Sequence, residues 1–388
     1  MKQVCIILLQ FHSCLTLSAQ NVGDLSFGSE NTLEVMTWNL EHFPKNGQTT
    51  VDYVVEVIEA LDIDIIAIQE AEDTNYLNQM VDRLGIYESY FESTYFAGLA
   101  YLYKPDVVQI DSMYEIYTTQ PYWSTYPRSP MVMEMTFQHE RFIIINNHFK
   151  CCGNGILDTN NTSDEETRRY KASNLLKEYI DTYFASDNVI VLGDLNDILT
   201  DIPANNVFQM FLNDSSNYLF ADFDIALGNN TEWSYPRWPS HLDHILITNE
   251  LFEELEHDSS MVQTIKVDEY LPQGMAEYDT NISDHRPVAI KLFMDDNSSI
   301  IDLSDHNIKF SNYPNPFSVV TNFVFENTND LTEIAIYQLN GVKIKSLTIK
   351  EGQSSIRLNA QDLPNGIYLA KLMSQNKELA FRKLVLMK

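Results

Sequence analysis

The sequence is poor in cysteine, in basic residues and in long apolar runs. Only four Cys occur among 388 residues, and Cys5 and Cys14 lie within the first twenty. The other two, Cys151 and Cys152, are neighbours and cannot staple distant segments together. A disulfide framework is excluded, so stability must come from a buried core. The pair forms either a strained vicinal disulfide or two thiols. No Cys/His spacing suits structural zinc. Gly and Pro are scarce, thirteen of each, which excludes collagen-like and low-complexity chains. Beyond the N-terminus no apolar run reaches about 18 residues, which excludes a transmembrane helix.

Positive charge is also lacking. Lys and Arg number 25 against 55 Asp and Glu, a net charge of −30. From Ile308 onward ten basic residues face six acidic ones, so the first 307 residues carry −34. Such a chain has no basic footprint for non-specific duplex binding. It suits solubility, cation binding or a saline medium. An enzyme whose metal ions neutralise a local site stays possible.

What is present is a globular pattern, with 44% hydrophobic residues. The length fits two domains, or a large one and a small module. Residues 1–20, with Lys2, an apolar stretch and Ser18-Ala19, read as a signal peptide. His12-Ser13-Cys14 is a poor lipoprotein signal, so no lipid anchor is expected. Residues 21–31 read as a polar leader.

Strands are expected at Leu33–Asn39, Asp64–Glu70, Leu99–Tyr103, Met131–Phe137, Phe142–Asn147, Asn188–Leu192, Leu242–Thr248 and Val288–Phe293. Helices are expected at Val51–Leu61 and Glu165–Tyr183. This alternation over 32–293 implies a layered α+β domain with its site at strand ends. Residues 294–311 are polar and acidic and read as a linker. Short alternating strands then follow, with turn signals at Asn340-Gly341 and Pro364-Asn365-Gly366. They predict a small all-β sandwich over 312–388.

Five signatures carry chemistry: Trp38-Asn39, Gln69-Glu70, Gly193-Asp194-Leu195-Asn196, Leu242-Asp243-His244 and Ser283-Asp284-His285. Asn146-Asn147-His148 is a weaker sixth. Each sets carboxylate, amide or imidazole groups just past an apolar strand. Singly, each reads as a turn, a cap or a surface pair. Together, at successive strand ends, they gather oxygen-rich ligands suited to Mg²⁺, Mn²⁺ or Ca²⁺.

These residues resemble the endonuclease/exonuclease/phosphatase superfamily, whose members include DNase I and secreted sphingomyelinases. The resemblance spans about Leu33 to Leu292 and implies a four-layer α-β-β-α sandwich. It implies that Glu70, Asn39 and Asp284 hold a divalent cation, Mg²⁺ first among the candidates. It places Asp194 and Asn196 beside the nucleophile and the scissile phosphate, and makes Asp243 and His285 an Asp–His dyad. His148 resembles a phosphate contact or leaving-group acid. DNase I-like enzymes pair that histidine with a Glu near the segment 97–103. Here Ala97-Gly98-Leu99-Ala100 holds no acid, and Glu92 is the nearest. Arg128 and Lys150 are candidate phosphate contacts. Arg168 and Arg169 are expected on a solvated helix face. His241 and His244 are expected to face away from Asp243. Trp233, Tyr235 and Trp238 form an aromatic loop that reads first as core or a cap on the sheet, and otherwise as a surface that stacks a base or covers a headgroup.

Asn312-Tyr313-Pro314-Asn315-Pro316-Phe317 and the closing Arg382–Lys388 resemble the type A sorting domain of type IX secretion cargo. That implies contact with the type IX machinery and a secreted or surface-attached product. The function expected is a secreted metal-dependent phosphodiesterase, foremost an extracellular endonuclease, and a monomer. The alternatives are a sphingomyelinase-like lipid phosphodiesterase, a phosphatase on small substrates, and an inactive binding module.

Overall fold

A computed structural model describes residues 21–91, 98–294, 310–325, 332–338, 342–350, 352–374 and 377–388. The expected signal peptide, Glu92, Ala97, Asn340-Gly341 and 295–309 of the expected linker lie outside the described residues. The chain divides into two units, Met1–Asp295 and Asp296–Lys388.

In chain order the first unit contains β1 (Thr32–Phe43), α1 (Gln48–Leu61), β2 (Ile65–Ala71), α2 (Thr74–Leu84), β3 (Glu88–Tyr90) and β4 (Ala100–Tyr103). There follow β5 (Gln109–Glu115), β6 (Met131–Phe137), β7 (Glu140–His148), α3 (Glu165–Tyr183), β8 (Asn188–Asp194), β9 (Tyr218–Phe220), β10 (Asp243–Thr248), β11 (Met261–Thr264) and β12 (Val288–Phe293). They build two six-stranded sheets, β11-β12-β1-β2-β4-β3 and β5-β6-β7-β8-β10-β9.

Alternation along the strands sets the layers. In β1, Leu33 and Val35 face the second sheet, while Met36, Trp38 and Leu40 face α1 and α2. In β7 and β8, Phe142, Ile144, Ile190 and Leu192 face the first sheet. Ile143, Ile145, Val189 and Val191 face α3, meeting Ala172, Leu176 and Ile180. Strands apolar on both faces need cover on both, and the result is α-β-β-α. Each sheet has one parallel pair, β1–β2 and β7–β8, and antiparallel neighbours elsewhere. A parallel pair requires a crossover, here through α1 and α3. The C-terminal ends of both pairs meet at one edge of the sandwich.

Gly193 lets β7 and β8 close there. Its φ is +144°, and a Cβ would lie 1.9 Å from the Asn147 carbonyl oxygen. Gly193→Ala is expected to cost about 3 kcal/mol or more, read as a lower Tm and poor soluble yield. An unchanged melting curve would contradict this packing.

The segment 21–31 is not a detached leader. Val22, Leu25 and Phe27 are buried in the core beside α1, and the Gly28 N–H donates to the Leu61 carbonyl at 2.8 Å. Three apolar residues spaced among polar ones supply this contact, and the polar majority hid it. The sequence reading also passed over α2, which buries only Leu77, Met80 and Leu84. It passed over the short strands β3, β5, β9 and β11 as well.

In the second unit, β13 (Phe310–Tyr313), β14 (Val320–Phe325) and β17 (Ser355–Asn359) form one antiparallel sheet. β15 (Glu333–Gln338), β16 (Lys343–Thr348), β18 (Gly366–Ser374) and β19 (Lys377–Leu386) form the other, in the order β16-β15-β18-β19. Phe310, Phe323, Ile334, Ile336, Leu358 and Leu372 are part of the core of this unit. Among the described residues no helix is long and apolar enough to cross a membrane.

Candidate active site

The alternation that layers the fold also aims the polar residues. Asn39 continues the Leu33, Val35 face of β1, and His148 the Phe142, Ile144 face of β7. Asp194 continues Ile190 and Leu192 of β8, and Asp243 opens the face that carries Ile245 and Ile247 in β10. All four therefore prolong the space between the sheets, at the edge where the parallel pairs end. Gln69 and Asn146 join the sheets just behind it, the Gln69 amide donating to Asn146 Oδ1 at 2.7 Å.

Glu70 breaks the alternation. Its φ is +63°, a left-handed value that turns the carboxylate toward the edge. Oε1 accepts from Asn39 Nδ2 at 3.3 Å and Oε2 from the His42 N–H at 2.9 Å. Asn39 Nδ2 also donates to Asp194 Oδ2 at 3.0 Å, so one amide ties two carboxylates on different sheets. Asn196, likewise left-handed at φ +54°, donates its N–H to Asp194 Oδ1 at 3.0 Å.

His285 Nδ1 lies 2.7 Å from Asp243 Oδ2. Its Nε2 faces Asp194 and Asp284, each at 3.9 Å. Ser283 explains its own place in the signature. Its hydroxyl donates to the Asn39 carbonyl at 2.6 Å and accepts the His285 N–H at 3.0 Å. Trp38 acts through Tyr278, accepted at 3.1 Å by a hydroxyl that donates to the His285 carbonyl at 2.6 Å. Both aromatic residues are fully buried.

Charge in this cleft is lopsided. Burial pushes Asp194 up to about 7 and Asp284 up to about 6, helped by neighbouring carboxylates. Burial works against charge on His285, but Asp243 and Asp194 outweigh it and push its pKa up to about 10. Asp243 Oδ1 is buried without a hydrogen-bond partner among the described residues. The site is rich in oxygen donors, with His285 the imidazole among its carboxylates.

These shifts fix a sign for stability. Asp194, Asp284 and His285 all hold protons more tightly folded than unfolded, so stability falls as pH rises from about 4 through about 10. The metal-free chain is expected to melt at lower temperature at pH 9 than at pH 6. Mg²⁺ should raise Tm more at pH 9, because a cation favours the deprotonated site. A Tm that rises between pH 6 and pH 9 without metal would contradict this assignment.

His148 is buried with Nε2 3.4 Å from Asp194 and 3.9 Å from Glu70. Burial, then the charges of Arg128 and His285, hold its pKa well below the usual value. Its Nδ1 has no hydrogen-bond partner among the described residues. Arg128 makes no hydrogen bond or ion pair among the described residues, although its charge reaches His148. Lys150 is turned aside, with Nζ donating to the Cys151 carbonyl at 3.1 Å.

Two expectations need correction, and the aromatic loop divides. Arg169 is not on a solvated face. It is 3% exposed and donates to Asp197 Oδ2 at 2.8 Å and to the Lys150 and Cys152 carbonyls at 2.7 Å. Arg168 is also partly buried, its Nε enclosed without a partner among the described residues. Helical position alone did not reveal that α3 turns these residues toward the 150–152 loop. Of the aromatic loop, Trp233 caps, donating to the Ile225 carbonyl at 3.1 Å. Tyr235 instead lies over His285, ring centroids 4.7 Å apart, and Trp238 is 79% exposed. The sequence reading missed Glu41, whose Oε2 accepts the Asp284 N–H at 2.8 Å. Its position two residues past Asn39 was the available signal.

His241 and His244 do face away from Asp243, onto the buried Asp222. The Ser234 N–H donates to His241 Nδ1 at 3.2 Å, so the ring hydrogen sits on Nε2, 3.0 Å from Asp222. His244 meets Asp222 through Nδ1 at 2.6 Å and the Asp197 carbonyl through Nε2 at 2.8 Å. Both its nitrogens must donate, which makes it an imidazolium. Burial opposes that charge, but Asp222 raises the His244 pKa above its usual value. These tautomers leave no lone pair for a metal ion, so the cluster is a structural ion pair.

Residues 36–285 match the model of the endonuclease/exonuclease/phosphatase family, and residues 311–387 match that of the secretion system C-terminal sorting domain. A search of curated proteins finds no match. Among solved structures, D. rerio TDP2 complexed with single strand DNA product is 13% identical. It covers 68% of this chain and 99% of that one, with a TM-score of 0.50. The human Nocturnin catalytic domain is 16% identical over 67% of this chain and 94% of its own, TM-score 0.48. An endonuclease/exonuclease/phosphatase family protein from Bacteroides thetaiotaomicron is 15% identical over 67% and 97%, TM-score 0.48. At such identities these structures speak of the fold alone. The family match spans well over half of the chain: it belongs to the endonuclease/exonuclease/phosphatase family of phosphoesterase hydrolases, and it carries a sorting domain that directs secretion to the cell surface or beyond.

Proposed function

We propose that the first unit is a divalent-metal-dependent phosphodiesterase, acting outside the cell as an endonuclease on nucleic acid. The observation that carries this reading is the meeting of Asn39, Glu70, Asp194, Asp243, Asp284 and His285 at one sheet edge, with the Asp243–His285 pair in hydrogen-bond contact. Export follows from the sorting domain, preceded by Sec transport through the signal peptide at residues 1–20.

The residues fit a hard divalent cation, Mg²⁺ first and Mn²⁺ or Ca²⁺ next. Carboxylate and amide oxygens predominate, and burial, helped by neighbouring carboxylates, raises the pKa values of Asp194 and Asp284. Glu70, Asn39 and Asp284 would hold the ion. When bound, it supplies Lewis-acid stabilisation of charge on the phosphate oxygens.

The chain's own groups do the rest. Asp243 fixes the His285 ring through Nδ1 and leaves Nε2 facing the cleft. Once the surrounding negative charge is neutralised, Nε2 accepts a proton from water attacking phosphorus, and Asp243 stabilises the imidazolium formed. Asp194, held by Asn39 and the Asn196 N–H, orients that water. Asn196 presents its amide to the phosphate. His148, kept neutral by burial and by nearby positive charge, contacts a phosphate oxygen. Arg128, without a hydrogen bond or ion pair among the described residues, offers its guanidinium to the same phosphate. Lys150 reaches it only by leaving the Cys151 carbonyl.

The −34 charge of the first 307 residues opposes polyanion binding, and millimolar cations outside the cell offset it. The test offers the purified chain DNA, RNA, sphingomyelin and a small phosphomonoester side by side with Mg²⁺. Cleavage of DNA or RNA is expected. Turnover of lipid or monoester alone would overturn the substrate, and no turnover would favour a binding module.

A further inference from the structure

The Cys151–Cys152 pair has no part in the chemistry above, yet it sits three residues past His148. We propose that it is a reversible thiol–disulfide site that controls the loop behind His148. The link to turnover rests on the active-site reading given above.

The two sulfurs are 2.9 Å apart, with the Cys152 thiol donating to Cys151 Sγ. Lys150 Nζ lies 3.6 Å from Cys151 Sγ. Cys152 is exposed and left-handed at φ +73°. A small oxidant therefore reaches sulfurs that are already in contact. Adjacent residues hold their Cα atoms about 3.8 Å apart, below the usual disulfide range of roughly 4.4–6.8 Å, so the closed ring is strained and readily reduced.

The backbone around the pair is gripped from within the protein. The buried Arg169 donates to the carbonyls on either side of Cys151, those of Lys150 and Cys152. The same guanidinium holds Asp197, three residues past Asp194. The Phe149 N–H donates to the Asp194 carbonyl at 2.9 Å. Closing the ring turns the 151–152 peptide, whose Cys151 carbonyl accepts from Lys150 Nζ, and strains the flanking Lys150 and Cys152 carbonyls that Arg169 holds. The loop that follows His148 is then held less firmly.

The chemistry is two thiol–disulfide exchanges with a small disulfide such as oxidised glutathione. One cysteine thiolate attacks a sulfur of the small disulfide, breaks its S–S bond and expels one thiolate. The neighbouring cysteine attacks the resulting mixed disulfide and expels the second. The pair loses two protons and two electrons, and the small disulfide becomes two thiols. A dithiol reductant reverses both steps.

The purified chain is equilibrated with oxidised glutathione and then with dithiothreitol. Intact mass, hydrogen exchange of residues 148–156 and DNA hydrolysis are read at each stage. The oxidised form is expected to be lighter by two hydrogens, without a glutathione adduct, and to exchange faster over the loop. Its turnover should be about tenfold lower, since small misplacements of reacting groups are costly. Dithiothreitol should restore all three. The double variant Cys151→Ser, Cys152→Ser should keep basal turnover and lose every response. A pair that stays reduced, stops at the glutathione adduct, or closes without altering exchange would overturn the proposal. Mass and exchange decide it even if the chain hydrolyses no substrate, a result that would sink only the active-site reading.

Discussion

Replacing His285 by Ala is expected to lower kcat by about 10³-fold, within the span of general acid–base catalysis. Among the described residues the imidazole is the group that joins the Asp243 carboxylate to the cleft, through Nδ1 at 2.7 Å and an Nε2 facing Asp194. Removing it leaves Asp243 buried with no hydrogen-bond partner for Oδ2, so Tm should fall as well. The two effects are separated by measuring kcat on protein shown to be folded by its circular dichroism. His285→Gln, which keeps a donor near Asp243, should recover stability without recovering turnover. A folded His285→Ala protein with undiminished hydrolysis would remove the dyad from the mechanism.

Glu70→Gln should also disable the enzyme, by about 10²-fold or more at ordinary Mg²⁺ concentration, while raising the Mg²⁺ needed for half-maximal rate. The amide keeps the shape, and its single oxygen can still accept from one of the two donors, the His42 N–H or Asn39 Nδ2. The charge and one hydrogen bond are lost. Glu70 is among the carboxylates that raise the Asp194 pKa. The metal-free variant should therefore melt higher than the parent, the pattern of a site that trades stability for function. A variant with unchanged Mg²⁺ dependence would contradict the assignment of Glu70 as a ligand.

Much of the site is legible in the sequence because period-two alternation runs through it. Leu33 and Val35 point between the sheets, so Asn39 does too. The same holds for Asp194 after Ile190 and Leu192. Glu70 is the exception, since its left-handed φ reverses the direction that alternation gives it. The role proposed for it rests on the resemblance, not on the strand pattern. Arg169 was misread for a related reason. A 3.6-residue period tells which helix face is apolar, but not that a polar residue on the flank is buried by a loop arriving from elsewhere. Glu41 and Tyr235 lie on irregular backbone, where no period applies. The segment 21–31 failed on composition, because Val22, Leu25 and Phe27 are outnumbered by polar neighbours. The strands of the second unit were legible from alternation and turn residues.

The central claim is that water attacks phosphorus at this sheet edge with the help of a divalent cation. Hydrolysis of DNA in ¹⁸O-labelled water tests it most directly, run with Mg²⁺, after chelation with EDTA, and with His285→Ala. The account predicts label in the phosphate of the product, loss of turnover on chelation with recovery on adding Mg²⁺, and loss in the variant. Cleavage that persists in EDTA, or that leaves the phosphate unlabelled, would contradict it.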